Sequence, residues 1–224
     1  FCALPEELVY PVGELCRSLE ITVCSAAPIT VTVREGESEG ISLSGDKENV
    51  LLTYGKRNEL YRAISYLPEF IREGKPIEEA NRYDMLCYMA DMSRNAVYSI
   101  EGAKRMIRYM ASMGYNSLML YTEDTYEIPE YRYFGHMRGR FSKAELKEID
   151  DYAYGFGIEV IPCIQTLAHL ATATRWPDFA GYIDIDDVLM VGDERTYKFV
   201  EAAISVCRDC FRSHRINLGM DEAW

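Results

Sequence analysis

The stretch Met85-Leu-Cys-Tyr-Met-Ala-Asp-Met-Ser-Arg94 decides the fold class of this chain. Its first six residues form a continuous apolar run, which is typical of a strand that is buried on both faces. Two charged side chains, Asp91 and Arg94, follow directly. A helical pattern comes next, with Ser99 as its N-cap and Gly114 at its end. The stretch therefore predicts a strand, a loop with polar side chains, and a helix.

The same order of strand, loop and helix repeats along the rest of the chain. Further strands are predicted at Ser117–Tyr121, Glu159–Pro162 and Ile216–Gly219, and helices are predicted to begin at Ser142 and Asp193. The helix that begins with the capping box Ser142-Lys-Ala-Glu145 should end at Gly157. Alternation of strands and helices implies right-handed parallel crossovers, and hence a doubly wound sheet or a barrel.

The first third of the chain follows a different pattern. Runs in which apolar and polar residues alternate predict half-buried strands at 29–34, 41–43 and 50–54. From Asn58 the apolar residues take helical spacing until Gly74. We therefore predict two domains: a small α+β domain at 1–78, in which a helix covers a sheet, and an α/β domain at 79–224.

Composition limits the classes of partner. The chain has 224 residues, of which 48% are hydrophobic and 27% charged, and its net charge is −12. This charge disfavours nucleic acid and anionic membranes as partners, and no run is long and apolar enough to span a bilayer. The seven cysteines are scattered and odd in number, which favours reduced thiols and a cytoplasmic location. Cys207 and Cys210 have redox or zinc spacing, but they fall in a helical pattern that favours buried thiols.

Polar side chains follow every predicted strand of the second domain. They are Asp91 and Arg94, then Glu123 and Asp124, then Gln165 and His169, and finally Asp221 and Glu222. In parallel α/β folds the carboxyl ends of the strands are where sites are built. Each residue alone also fits a structural role, such as a loop salt bridge. Four successive strand ends of the same character favour a functional site.

The pair Asp221-Glu222 offers acid–base chemistry. Adjacent carboxylates repel each other, so ionising one raises the pKa of its neighbour, which can then stay protonated as a general acid. Neighbours on a regular strand point to opposite faces, so both acids address one substrate only where the backbone turns. Gly219 makes such a turn easier. The dipeptide alone is also compatible with the start of a helix, since acids favour helix N-termini.

The strand ends resemble one known family. Leu218-Gly-Met-Asp-Glu222 resembles the Gly-x-Asp-Glu signature of family-20 glycoside hydrolases, the β-N-acetylhexosaminidases, at the end of their fourth barrel strand. Asp91-Met-Ser-Arg94 resembles the family's Asp-x-Ser-Arg after strand one. Further similarities lie at Tyr121–Asp124, where the family has an Asp-Asp pair, at Ile161–His169, and in the helix at 54–64. The resemblance covers almost the whole chain.

The resemblance implies a (β/α)8 TIM barrel, truncated after strand four and preceded by the small α+β domain. It implies hydrolysis of terminal non-reducing N-acetylhexosamine (GlcNAc or GalNAc) from β-glycosides by a retaining, substrate-assisted mechanism. In it Glu222 is the acid and base, and Asp221 orients the 2-acetamido group. Arg94 binds sugar hydroxyls, and Asp124 and His169 tune Glu222 through hydrogen bonds. The implied partner is a small carbohydrate, with no metal and no other cofactor.

Several positions depart from the family pattern. Asn95 stands where many members have His, Glu123 replaces the first Asp, Met220 replaces a common Gly, and Ala168 precedes His169 where Gly is usual. These departures indicate a divergent branch. The barrel needs about eight strands, and four are found, so we expect this length of chain to expose a sheet edge and to lack turnover by itself.

Two rival functions stay open from the sequence. One is a metal-dependent barrel hydrolase with Asp124, His169, Asp221 and Glu222 as ligands, although a single histidine disfavours zinc. The other is a non-catalytic carbohydrate-binding or scaffold fragment.

Overall fold

The structure is a computed structural model that describes residues 1–37, 39–94 and 96–223. The chain packs as two compact units. The first consists of Phe1–Tyr88, Lys104–Ser117 and Tyr152–Ile158, and the second of Met89–Ala103, Leu118–Asp151 and Glu159–Trp224. The domain boundary that the sequence predicts at 78 and 79 stays a prediction.

The first unit contains a four-stranded sheet and three helices. In chain order these are α1 (Glu6–Ser18), β1 (Thr30–Glu35), β2 (Ile41–Gly45), β3 (Asn49–Tyr54), α2 (Arg57–Ser65), α3 (Leu67–Glu73) and β4 (Ile77–Glu79). The strand order is β1-β3-β2-β4. The β1–β3 pair is parallel, and β2 is antiparallel to both β3 and β4. The three predicted strands are confirmed, whereas α1 and β4 are additional elements.

The predicted helix at 58–74 is divided in two. Tyr66 ends α2 and begins α3, and Pro68 lies in the first turn of α3. Proline has no N–H to donate and crowds the preceding turn, so it starts a helix more readily than it continues one. Gly74 ends α3 in a left-handed conformation with φ of 70°, as its place in the sequence predicts.

Glu59 connects α2 to the turns of the sheet by hydrogen bonds. Its Oε2 atom accepts backbone N–H groups from Gly40, Gly55 and Lys56 at 3.0, 3.0 and 2.7 Å. One carboxylate oxygen thus accepts from three backbone groups of the turns, although Gly55 N also donates to Gly40 O at 3.1 Å. The fully buried Leu43, Leu52, Leu60 and Ile64 then fill the space between the sheet and α2.

The second sheet is built from strand–helix repeats. Its elements are β5 (Cys87–Asp91), α4 (Ile100–Ser112), β6 (Ser117–Tyr121), α5 (Lys143–Gly155) and β7 (Glu159–Cys163), and the strand order is β5-β6-β7. Ser117 N donates to Leu86 O at one end of the first pair, and Met92 N donates to Tyr121 O at the other end. This register is parallel. The Thr122 N to Cys163 O bond likewise joins the carboxyl ends of β6 and β7.

The fourth predicted strand is reduced to a bridge. Cys163 and Asn217 form an isolated parallel bridge, and Thr166 N donates to Gly219 O at 3.3 Å beyond it. The described residues therefore form an open α/β sheet of three strands with a bridged fourth segment, and they contain no closed barrel. The α/β class is confirmed.

The burial predicted for β5 is wrong. Of its five residues only Ala90 is buried, and Met89 is 50% exposed. The physical reason is position, because β5 lies at the edge of the sheet order rather than between two strands. An apolar run alone does not distinguish a central strand from an edge strand.

The remaining elements follow β7. They are α6 (Ala171–Thr174), a 3-10 helix (Pro177–Phe179), β8 (Ile183–Ile185), β9 (Val188–Leu189) and α7 (Glu194–Cys210). The three predicted caps are confirmed: Ser99 Oγ accepts from Gly102 N at 3.1 Å, Ser142 Oγ accepts from Glu145 N at 3.2 Å, and Asp193 accepts from Arg195 N at 2.9 Å. The antiparallel β8–β9 pair and α6 are not anticipated by the sequence analysis.

None of the seven cysteines forms a disulfide bond with another described residue. Cys207 and Cys210 are buried in α7, as predicted, and burial raises the pKa of Cys207 to about 12. Thiols of this kind are unreactive near neutral pH. Across the described ranges, none of the helices combines the length and the hydropathy needed to cross a membrane.

Gly157, which follows α5, offers a test of packing within the first unit. Its φ is +69°, and a Cβ added there would lie 2.7 Å from Asn58 N. Gly139 has a similar φ of +66° but no atom within 4 Å of such a Cβ. We expect Gly139→Ala to lose about 1 kcal/mol of unfolding free energy from the left-handed conformation alone. Gly157→Ala should lose at least about 1 kcal/mol more from overpacking.

Urea denaturation of the two variants measures the difference. Equal losses would show that the backbone at Asn58 moves aside.

Candidate active site

The chain turns sharply where the two adjacent acids lie. Gly219 has a φ of +54° and packs so closely that an added Cβ would overlap the carbonyl oxygen of Ile164 and the side chain of Gln165. Glu222 is also left-handed, with φ of 57°. A strand would send Asp221 and Glu222 to opposite faces, but this turn brings them together. The turn that the sequence predicts at this point is present.

His169 lies against both acids. Its Nε2 atom is 3.3 Å from Asp221 Oδ2 and 3.4 Å from Glu222 Oε2. His169 is mostly buried, whereas the two acids are more than half exposed. One imidazole at the end of β7 therefore contacts both carboxylates that follow the fourth segment.

Gln165 connects Asp221 to β6. Its Nε2 atom donates to the Tyr121 hydroxyl at 2.9 Å and to Asp221 Oδ1 at 3.3 Å. Burial by itself would raise the pKa of Asp221, but hydrogen bonds from its own backbone N–H and from Gln165, together with His169, lower it below the usual value. Asp221 is thus an ionised acceptor at neutral pH.

Arg94 and Glu123 form an ion pair across the ends of β5 and β6. Arg94 Nη1 donates to Glu123 Oε1 at 2.6 Å. The Glu123 side chain is 2% exposed and that of Arg94 is 64% exposed. Burial raises the pKa of Glu123, and the Arg94 guanidinium opposes that rise. The pair holds one end of Arg94 while the rest of the guanidinium faces solvent.

Asp91 stabilises the turn that carries Arg94. Its Oδ1 atom accepts from Ser93 N at 2.8 Å and from Ser93 Oγ at 2.7 Å. Burial acts to raise the pKa of Asp91, but these two bonds and the nearby Arg94 bring it below its usual value. Asn95, the departure noted after Arg94, lies outside the described residues.

Asp124 pairs with a residue that the sequence analysis missed. Arg138 Nε donates to Asp124 Oδ1 at 3.0 Å, and the Asp124 side chain is fully buried. Its Oδ2 atom is also buried and has no hydrogen-bond partner among the described residues. The hydrogen bond seen at Asp124 is therefore to Arg138, and tuning of Glu222 by Asp124 stays a prediction. No local sequence pattern points to Arg138. The signal that could have found it is the burial of Asp124, because a buried carboxylate requires a cation.

The described residues bring the five predicted site residues to one end of the second sheet. Arg94 and Asp124 follow β5 and β6, and His169, Asp221 and Glu222 meet at the third and fourth ends. Within those residues, no group of three or more His, Cys, Asp or Glu side chains is placed to hold a metal ion. The chemistry that the arrangement supports is proton transfer by a carboxylate beside an ionised carboxylate.

A family model described as the catalytic domain of glycosyl hydrolase family 20 matches residues 83–224. This chain belongs to glycosyl hydrolase family 20. The resemblance found at the strand ends is thereby confirmed. The family-20 chain is also similar to the β-hexosaminidase subunit beta of Entamoeba histolytica, with 24% identity over 227 residues that cover 88% of this chain and 40% of the relative.

Solved structures share the fold. An exo-β-N-acetylglucosaminidase from Vibrio harveyi, solved with N-acetylglucosamine, has a TM-score of 0.80 at 16% identity. The match covers 99% of this chain and 43% of the Vibrio harveyi chain. A β-N-acetylhexosaminidase from Streptomyces coelicolor has a TM-score of 0.77 at 22% identity, with coverage of 98% and 54%. The family-20 chain thus spans about half the length of these relatives, or less.

The Arg94–Glu123 pair predicts a pH-dependent stability effect. Arg94→Met should raise the pKa of Glu123 further, because the guanidinium is the main influence that lowers it. The pKa of Glu123 in the folded state is already raised, so ionisation of Glu123 costs stability as pH rises through that value. The variant should lose about 1–2 kcal/mol at pH 7 and less at pH 4, where protonated Glu123 needs no counterion.

NMR titration of Glu123 and denaturation at both pH values check this, with the exposed Arg132→Met as the control. A loss that is independent of pH would contradict the pairing.

Proposed function

We propose that the full-length protein hydrolyses terminal non-reducing N-acetylhexosamine residues from β-glycosides. The observation that carries the proposal is the contact of one imidazole, His169, with both Asp221 and Glu222. Membership of family 20 supports the substrate class. The complex of the Vibrio harveyi relative with N-acetylglucosamine supports a small sugar as the ligand.

We further propose that the four segments after residue 79 form the first half of a (β/α)8 barrel, behind an α+β domain at 1–78. Parallel pairing of β5, β6 and β7, with the bridge to Asn217 as the next step, supports this arrangement. In such a barrel the carboxyl ends of the strands carry the site, and these are the ends that bear the polar residues. The free thiols support a cytoplasmic location.

The proposed mechanism begins with Asp221. The carbonyl oxygen of the substrate's 2-acetamido group attacks the anomeric carbon, and the glycosidic bond breaks as an oxazolinium ion forms. Asp221 has a lowered pKa and stays ionised, so it can accept the acetamido N–H and stabilise the positive charge that develops. A fixed, ionised acceptor matches the transition state better than the ground state.

Glu222 is the proposed acid and base. It gives its proton to the leaving glycosidic oxygen, and it then takes a proton from the water that opens the oxazolinium ring. His169, which contacts both acids, keeps their carboxylates in fixed relative positions. Arg94, held at one end by Glu123, has further donors on its exposed guanidinium for sugar hydroxyls.

Substitution of Glu222 tests the acid role in the full-length protein. Glu222→Gln should lose most activity on substrates with a poor leaving group, by about 100-fold or more, and much less on activated aryl glycosides. The reason is that a basic leaving oxygen needs a proton, whereas a good leaving group departs without one. Glu201→Gln, an exposed acid on α7, is the control.

Steady-state kinetics on both kinds of substrate, with and without a chelator, give the result. Equal losses on the two would argue against acid catalysis, and loss of activity in the chelator would favour a metal-dependent hydrolase.

A second test concerns substrate assistance. A thiazoline mimic of the cyclised intermediate should inhibit the full-length protein at least about 100-fold more tightly than N-acetylglucosamine binds, since it resembles the high-energy species. Asp221→Ala should remove most of this preference, because it removes the ionised acceptor.

Inhibition constants for both ligands, in both proteins, provide the measurement. Similar affinities of the two ligands for the unsubstituted protein would count against an acetamido nucleophile.

A further inference from the structure

We infer that Arg138 is a positioning residue of the site, which fixes Asp124 and the turn that carries Arg94. The inference rests on the proposed function. Arg138 belongs to the long connection between β6 and α5 and is separated in sequence from the residues that directly follow the four strands. It is not proposed to touch the substrate.

One guanidinium connects two strand ends. Arg138 Nε donates to Asp124 Oδ1 at 3.0 Å, and a second guanidinium nitrogen donates to the backbone carbonyl of Ser93. Ser93 directly precedes Arg94, and Asp124 directly follows Glu123. The same cation therefore fixes the backbone beside the proposed sugar-binding residue and a carboxylate after the next strand.

The charge balance makes Arg138 necessary for Asp124. The Asp124 side chain is fully buried, and that of Arg138 is 10% exposed. A buried carboxylate without a cation is strongly unfavourable, so the pair is held together by the cost of leaving either charge alone. With Oδ1 bound to Arg138, Oδ2 is left as the acceptor that Asp124 can offer to the site.

The loop that presents Arg138 is closely packed at its base. Phe134 is fully buried and packs against Tyr126, Phe179 and Phe199, with ring centroids 5.1 to 6.3 Å apart. Gly135 follows with φ of +69°, and a Cβ there would overlap the carbonyl oxygen of Asp124. The loop backbone thus lies directly against the residue that Arg138 binds, which orients the guanidinium in advance.

Arg140 provides a matched comparison in the same loop. Its guanidinium donates to the backbone carbonyls of Arg132 and Phe134, so it ties the loop to itself and not to the strand ends. Loss of Arg140 loosens the loop, whereas loss of Arg138 also releases Asp124 and Ser93. A purely structural role for Arg138 predicts the same behaviour for both variants.

The first experiment measures kinetics in the full-length protein, at a temperature well below the unfolding transition. Arg138→Met should lower kcat/KM on an aryl N-acetylglucosaminide by about 100-fold, since displacements of about 1 Å in a site have effects of this size. Arg140→Met should lower the unfolding temperature but lower kcat/KM far less than Arg138→Met does, because it keeps the bonds to Asp124 and Ser93. Added guanidinium should restore part of the activity of Arg138→Ala and none of that of Glu222→Gln.

The second experiment needs no activity. In a double-mutant cycle on unfolding free energy, Arg138→Met with Asp124→Asn should be more stable than Arg138→Met alone, because the uncompensated buried charge is gone. Asp124→Asn added to Arg140→Met should bring no such recovery. If Arg138→Met fails to fold, Arg138→Lys, which keeps the charge but loses the two-point geometry, takes its place in the kinetic experiment, and the neutral Arg138→Gln takes its place in the cycle.

The outcomes separate the two claims. A full-length protein that is inactive on every N-acetylhexosaminide overturns the proposed function, and the cycle still decides whether Arg138 holds Asp124. An active protein in which Arg138→Met keeps parental kcat/KM, or in which Arg140→Met loses as much, overturns the positioning role alone. Absence of recovery in the Asp124→Asn cycle also overturns it.

Discussion

The close approach of Gly219 to the end of β7 is the constraint on which the candidate site depends. Gly219 has no side chain, so it can lie directly against the carbonyl oxygen of Ile164. The fourth segment thereby comes within hydrogen-bond reach of Thr166. From there the next two residues turn away from the sheet direction. Without this contact Asp221 and Glu222 would diverge, and His169 could contact only one of them. The chemistry proposed for the pair thus depends on a glycine at position 219, where the methyl group of an alanine would not fit.

Charge compensation fixes the other half of the site. Glu123 and Asp124 are consecutive buried acids, yet their cations differ in environment. Arg94 is mostly exposed and can turn its free donors toward a ligand, whereas Arg138 is enclosed and bonded at two points. An exposed partner suits a residue that binds substrate, and an enclosed partner suits a residue that keeps another in place. The difference in exposure between the two arginines therefore fits the roles of contact and support that are proposed for them.

The sequence predicts the local features of this fold well, because they depend on neighbouring residues. The caps at Ser142 and Asp193, the left-handed ends at Gly74 and Gly157, and the polar strand ends all come from short-range rules. The predictions that were wrong or missing depend on distant contacts. Edge position decides the exposure of Met89, and burial of a carboxylate decides the partner of Arg138. Such facts are set when separate segments meet, so no local pattern of residues contains them.

Two residues of the candidate site have a strained backbone conformation. His169 and Glu222, which contact each other, both adopt left-handed conformations at φ of 56° and 57°. For residues with a Cβ this costs about 1 kcal/mol or more each, and it persists only where surrounding contacts impose it. In many family members a glycine precedes the histidine, but here Ala168 takes that place and the left-handed residue is His169 itself. The strained residue is thus the one whose ring contacts both acids. Two left-handed residues on separate segments therefore bring the imidazole into contact with the second acid, and the geometry of the acid pair is obtained at a cost in stability.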